Sequence, residues 1–78
     1  VRPIRCYICR YTRALTDADP PTTPTLLEIV GMGRTPCAAR GHAFVQLEQR
    51  LRREALPRAG WRLISITPLP AQGAHVAV

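Results

Sequence analysis

Residues 5–13, RCYICRYTR, constrain this chain more than any other stretch, because two incompatible structures claim them. Cys6 and Cys9 make a C-x2-C pair, which in a metal knuckle brings both sulfurs to one ion. As a β-strand, the same residues send those sulfurs to opposite faces of a sheet. The alternation runs further than the pair does. Ile4, Cys6 and Ile8 hold one phase, Arg5, Tyr7, Cys9, Tyr11 and Arg13 hold the other, and strand formers are frequent in both. A first strand is therefore expected within residues 3–14, with Ile4, Cys6 and Ile8 toward the core and the arginine-tyrosine phase on the open side.

The following stretch, LTDADPPTTPT, combines three prolines with aspartates and threonines and sustains neither helix nor ladder, so an acidic loop is expected at 16–25. TLLEIVG, residues 25–31, is a short apolar run closed by glycine and reads as a second, mostly buried strand. GMGRTP then turns the chain. Thr35 before Pro36 is a helix start, since the hydroxyl caps free N–H groups and proline fits the first turn. The helix is expected to run to about Leu56, ahead of Pro57 and Gly60. At 100° per residue its inward stripe would be Cys37, Phe44, Leu47, Leu51 and Ala55, with His42, Gln46, Gln49, Arg50 and Arg53 opposite. GWRLISITP, residues 60–68, reads as a third strand, and 69–78 as a loose C-terminal tail.

The expected fold is α+β: a small β-β-α-β domain over 1–68, with a three-stranded, mainly antiparallel sheet and one helix packed on one face. A chain of 78 residues supports one core, and with four aromatic residues that core must be mostly aliphatic. The second sheet face has no helix to cover it. It is expected to be solvated, a dimer interface or the working surface.

The formal charge is +6, carried by eleven arginines without a lysine, and asparagine is also missing. AT-rich codons specify lysine and asparagine, so their joint absence points to a GC-rich genome, bacterial or of a phage or plasmid. Part of the arginine excess is then mutational, but the net positive sign still favours nucleic acid or an acidic protein surface as partner. Three cysteines, an odd number, and the absence of a signal-like or membrane-spanning apolar run lead to the expectation of a reduced, cytoplasmic protein with no membrane association.

Cys6, Cys9, Cys37 and His42 give C-x2-C-x27-C-x4-H, a count of ligands that would suit structural zinc. The pattern resembles the treble-clef zinc fingers, in which a knuckle supplies two ligands and a helix start two more; that resemblance implies a zinc-binding domain. Against it, Cys9 is followed by strand formers rather than turn residues. In a helix beginning at Pro36, Cys37 and His42 also point roughly 140° apart. Without zinc, Cys6 becomes a small core residue, Cys37 a buried first-turn residue and Cys9 a surface thiol, and no cofactor is expected.

The stretch GMGRTPCAARGHAF, residues 31–44, is similar to the strand-to-helix corner of double-stranded-RNA-binding domains in the two glycines of its turn, Gly31 and Gly33, and in Thr35, Ala39, Arg40 and Ala43. That similarity implies a like β-β-α packing. It departs where the family carries a lysine pair on RNA phosphates, since Pro36 and Cys37 stand there.

No paired carboxylates and no Ser-His-Asp or Cys-His arrangement can be assembled from the sequence, so a non-enzymatic binding protein is expected. The first expectation is a nucleic-acid-binding or nucleoprotein-associated module. Arg5, Tyr7, Tyr11 and Arg13 would form its stacking and phosphate-neutralising face, extended by Arg50 and Arg53 of the helix. The alternative is a protein-interaction factor, such as a small inhibitor or antitoxin-like regulator of phage or mobile-element origin, acting by docking or as a homodimer.

Overall fold

The computed structural model describes residues 3–70. Four elements follow in order: β1 (Arg5–Thr12), β2 (Leu26–Gly33), α1 (Pro36–Arg53) and β3 (Arg62–Pro68). This is the expected β-β-α-β arrangement. The strands form one antiparallel sheet in the order β2-β1-β3, so the first strand lies in the middle. Most of the stretch expected as a tail, residues 71–78, lies outside the described residues. Leu69 is still tied to the sheet, its N–H donating to the Cys6 carbonyl at 2.9 Å.

The helix begins where Thr35 directs it. Its side-chain oxygen accepts from the Ala38 N–H at 3.1 Å, its carbonyl accepts from Ala39 N–H, and Pro36 opens the first turn. The end comes earlier than expected, at Arg53. Ala55 takes a left-handed backbone (φ 54°), Leu56 N–H donates to Leu51 carbonyl at 2.9 Å, and Ala55 N–H donates to Arg52 carbonyl at 3.3 Å. These bonds make a Schellman closure with alanine in the place where glycine is favoured. Gly60, with φ 91°, turns the chain into β3.

The helix does not sit centrally over the sheet. It leans on β2, where a Cβ on Gly31 would overlap the Ala39 carbonyl and lie 2.8 Å from Ala43 Cβ, and one on Gly33 would lie 2.6 Å from Ala39 N. Glycine on the strand facing alanine on the helix permits an approach no larger pair would allow. Ala39, Ala43, Leu47 and Leu51 are the buried row of α1, while Cys37, Phe44 and Ala55 are exposed, so the inward stripe is rotated from the expected one. The expected row weighted Phe44 by hydrophobicity, whereas the close seam selects small residues. Further along, Leu47 and Leu51 meet Leu27, Ile29, Cys9 and Tyr11 in the core, with Leu56, Trp61, Leu63 and Ile66 packed against it.

The faces of β1 are also the reverse of the expectation. Tyr7, Cys9 and Tyr11 are buried under the helix, the tyrosines 6% and 4% exposed and Cys9 fully enclosed, whereas Ile4 is 63% exposed on the other side. Ion pairing explains the choice. Arg10 shares the phase of Ile4, Cys6 and Ile8, and its cross-strand partner is Glu28 of β2, whose Oε2 accepts from Arg10 Nε at 2.7 Å. Turning that phase inward would bury both charges, while the outward choice leaves them hydrated. The tyrosine rings then supply the bulk that fills the sheet beyond the reach of the offset helix.

Candidate functional site

Because α1 leans on β2, the helix side of the sheet between β1 and β3 is left partly open. The resulting cleft has a volume of about 460 Å³. Tyr11 and Leu63 form its floor, a directly opposed pair in the β1–β3 ladder. One wall is helical: Cys37, Arg40, Gly41 and Phe44 recur at three- and four-residue steps and so project from one side of α1. The other wall is Trp61, held by its indole N–H donating to the Pro57 carbonyl at 2.9 Å. Phe44 is 52% exposed. An apolar basin with few polar groups is the ordinary chemistry of a ligand cleft.

Arg40 supplies the charge, and its field reaches the cleft floor. Burial pushes the Cys9 thiol and the Tyr11 phenol up from their ordinary values, with Cys9 adding to the effect on Tyr11, and the Arg40 guanidinium draws both partly back. A second cavity of about 330 Å³ lies in line with the first along the helix side of β1, bordered by Pro3, Arg5, Tyr7, Arg34 and Pro36. Tyr7 and Tyr11 are four residues apart on one strand face, so the two cavities are separated by about 13 Å. Among the described residues only Ser65 Oγ is a buried side-chain polar atom without a partner. The tyrosine hydroxyls therefore meet solvent where their rings border the cavities.

The charge balance sharpens this picture. Glu28, Asp19 and Glu54 are taken up by Arg10, Arg13 and Arg50, at 2.7, 2.8 and 3.0 Å respectively. Arg5, Arg34 and Arg40 along the cavities have no ion pair among the described residues, nor do Arg52, Arg53, Arg58 and Arg62 near the far end of the molecule. The excess positive charge is thus concentrated on arginines that carry no carboxylate.

The expected site residues are dispersed. Arg5 lines the second cavity, and Arg53 is exposed in the last helical turn. Tyr7 and Tyr11 are core residues with almost all of their surface buried, so they cannot offer open ring faces for stacking. Arg13 is committed elsewhere: it donates to Asp19 at 2.8 Å and 3.3 Å and to the Ala59 carbonyl at 2.8 Å, tying the acidic loop to the β3 approach. Arg50 is engaged with Glu54 one helical turn on.

The four residues considered as zinc ligands are not brought together. Cys6 and Cys9 lie on opposite faces of β1, Cys37 is exposed at the cleft, and His42 Nδ1 accepts the Met32 N–H at 2.9 Å on the outer edge of β2. No group of three or more His, Cys, Asp or Glu suited to a metal occurs among the described residues. Cys9, expected as a surface thiol, is the most deeply buried of the three cysteines, and Cys37, expected to be buried, is exposed.

Sequence reasoning passed over Arg40, Phe44 and Trp61 as a unit. Arg40 and Phe44 are visible as an i, i+4 pair, but their meeting with Trp61 depends on the offset of the helix, which is a tertiary property. No helix among the described residues is long and apolar enough to cross a membrane. Comparison with known proteins finds no family model, curated protein or solved structure that matches this chain.

Proposed function

We propose that this chain is a small non-enzymatic binding module that takes single-stranded nucleic acid along the helix side of its sheet. The observation that carries the reading is the cleft itself, where the exposed ring of Phe44 and the guanidinium of Arg40, one helical turn apart on one wall, stand across from the indole of Trp61, and Arg40 has no ion pair among the described residues. Aromatic faces accept bases of any sequence, and arginines release counterions from phosphates. Arg5 and Arg34 continue the cationic track past the second cavity. The stacking residues differ from those expected on the sequence, but the chemistry is the same: rings interleaved with guanidinium groups.

A titration of labelled single-stranded DNA, single-stranded RNA and duplex, read by the fluorescence of the single tryptophan and by anisotropy, tests this. Single strands should bind more tightly than duplex, and affinity should fall with rising salt. Phe44→Ala should weaken binding by about 5- to 150-fold, the equivalent of one lost base stack of about 1–3 kcal/mol. Arg40→Gln should lower the salt slope by about 0.7, as expected for one phosphate contact on a single strand. Absent or salt-insensitive binding, or full binding by Phe44→Ala, would overturn the reading.

A further inference from the structure

Among the described residues, no element covers the face of the sheet away from α1. Cross-strand pairs on it run Cys6–Met32, Ile8–Val30, Arg10–Glu28 and Thr12–Leu26. Val30, Met32 and Leu26 are about half exposed, Ile4 more so. Along β1 and β2 the surface on either side of the ion pair is mostly apolar, whereas Ser65, Thr67 and Arg62, paired with Arg10, Ile8 and Thr12, make the β3 side of the face polar. We propose that this face is the contact between two copies of the chain, packed sheet to sheet.

The charges identify the occupant as a second copy and also choose its orientation. Arg10 and Glu28 sit side by side in neighbouring strands, with side chains 37% and 54% exposed. A twofold axis running along the strands, between β1 and β2 and in the plane of the contact, carries each β1 residue over its cross-strand partner in the other copy. Arg10 then meets the second copy's Glu28, Ile8 meets Val30 and Cys6 meets Met32, each contact made twice as an isologous interface requires. An axis across the strands at the same level would set Arg10 against Arg10 and is disfavoured. The face therefore carries its own complement. An acidic or a basic partner would compete with the ion pair that Arg10 and Glu28 already make, whereas a second copy brings the same pair in reversed order and joins it in a four-charge cluster.

The axis leaves β3 of each copy outside the overlap, so two strands of about eight residues make a contact of about 26 by 10 Å, in the range of weak, transient association. Association should accordingly depend on concentration. Both clefts point away from the contact, so this inference does not rest on the nucleic-acid reading.

Sedimentation velocity from about 1 to about 500 µM should show the mass rising from 8.6 kDa toward twice that value. Arg10→Glu alone and Glu28→Arg alone should both remain monomeric, because each sets like charges against each other across the twofold. Mixed in equal amounts they should form the heterodimer, in which both charged contacts across the twofold again set a carboxylate of one chain against a guanidinium of the other. The net charge of both variants stays positive and the like-charged pair within each chain persists, so recovery on mixing reports the contact between copies alone. Circular dichroism checks folding, and Val30→Asp, at a half-exposed position, provides a second disruption should either charge variant fail to fold. A wild-type monomer throughout the range, a dimer indifferent to all three substitutions as an edge-to-edge β3 pairing would be, or no recovery on mixing would overturn the proposal.

Discussion

Asp19 is the residue whose ionisation is most strongly tied to the native geometry. Hydrogen bonding from the Arg13 guanidinium, then from Thr16 N–H, holds its carboxyl down from 3.8 to about 2. The folded-state value lies below the ordinary one, so its stabilising contribution is complete above pH 3.8 and is lost as the pH falls through about 2. Thermal melts of wild type and Asp19→Asn should therefore differ at pH 5 and converge toward pH 2; a constant difference would dissociate Asp19 from the effect. The ion pair itself was not legible in the sequence, because Arg13 and Asp19 fall on either side of a strand end and only the loop's path brings them together. Arg10 and Glu28 were different. Each interrupts an apolar phase in its own strand, and that interruption was the available sign that Ile8 and Val30 face outward and Tyr7 and Leu27 inward.

Among the elements, α1 shows both what local sequence decides and what it leaves open. Its start at Thr35-Pro36 is written in two adjacent residues, and its end carries a correctable misfit: Ala55 occupies a left-handed position at φ 54°. Ala55→Gly should remove the steric cost and stabilise the chain by about 0.5–1 kcal/mol. For a domain of this size that corresponds to a rise in Tm of about 2–8 °C; an unchanged or lower Tm would show the closure to be unstrained. The bounds of the three strands were close to those read from alternation and turn residues. Rotation of the helix about its axis was not readable in the same way, because Phe44 and Leu47 are both apolar and only the small-residue seam of Gly31, Gly33, Ala39 and Ala43 decides between them. The cleft inherits that illegibility, since its width is the lateral distance the seam leaves uncovered.

On the scale of the whole molecule, the sheet and helix enclose one thiol and leave another at the surface. Cys37 should react with iodoacetamide in the native state, whereas Cys9 should stay unmodified until the helix and sheet separate. Mass spectrometry of labelled peptides across a urea titration should find Cys9 modification following global unfolding; early labelling of Cys9 would contradict the assigned faces of β1. The strand order has a further consequence, for synthesis. β1, β2 and α1 can pair as soon as they leave the ribosome, but β1 is central and its second edge waits for a strand made after all of them. Until β3 arrives, a nascent chain presents an unpaired edge beside Tyr7 and Tyr11, the kind of surface that chaperones occupy. Leu63 and Trp61 arrive with β3 and its approach, so the cleft is completed only after the other three elements have been made.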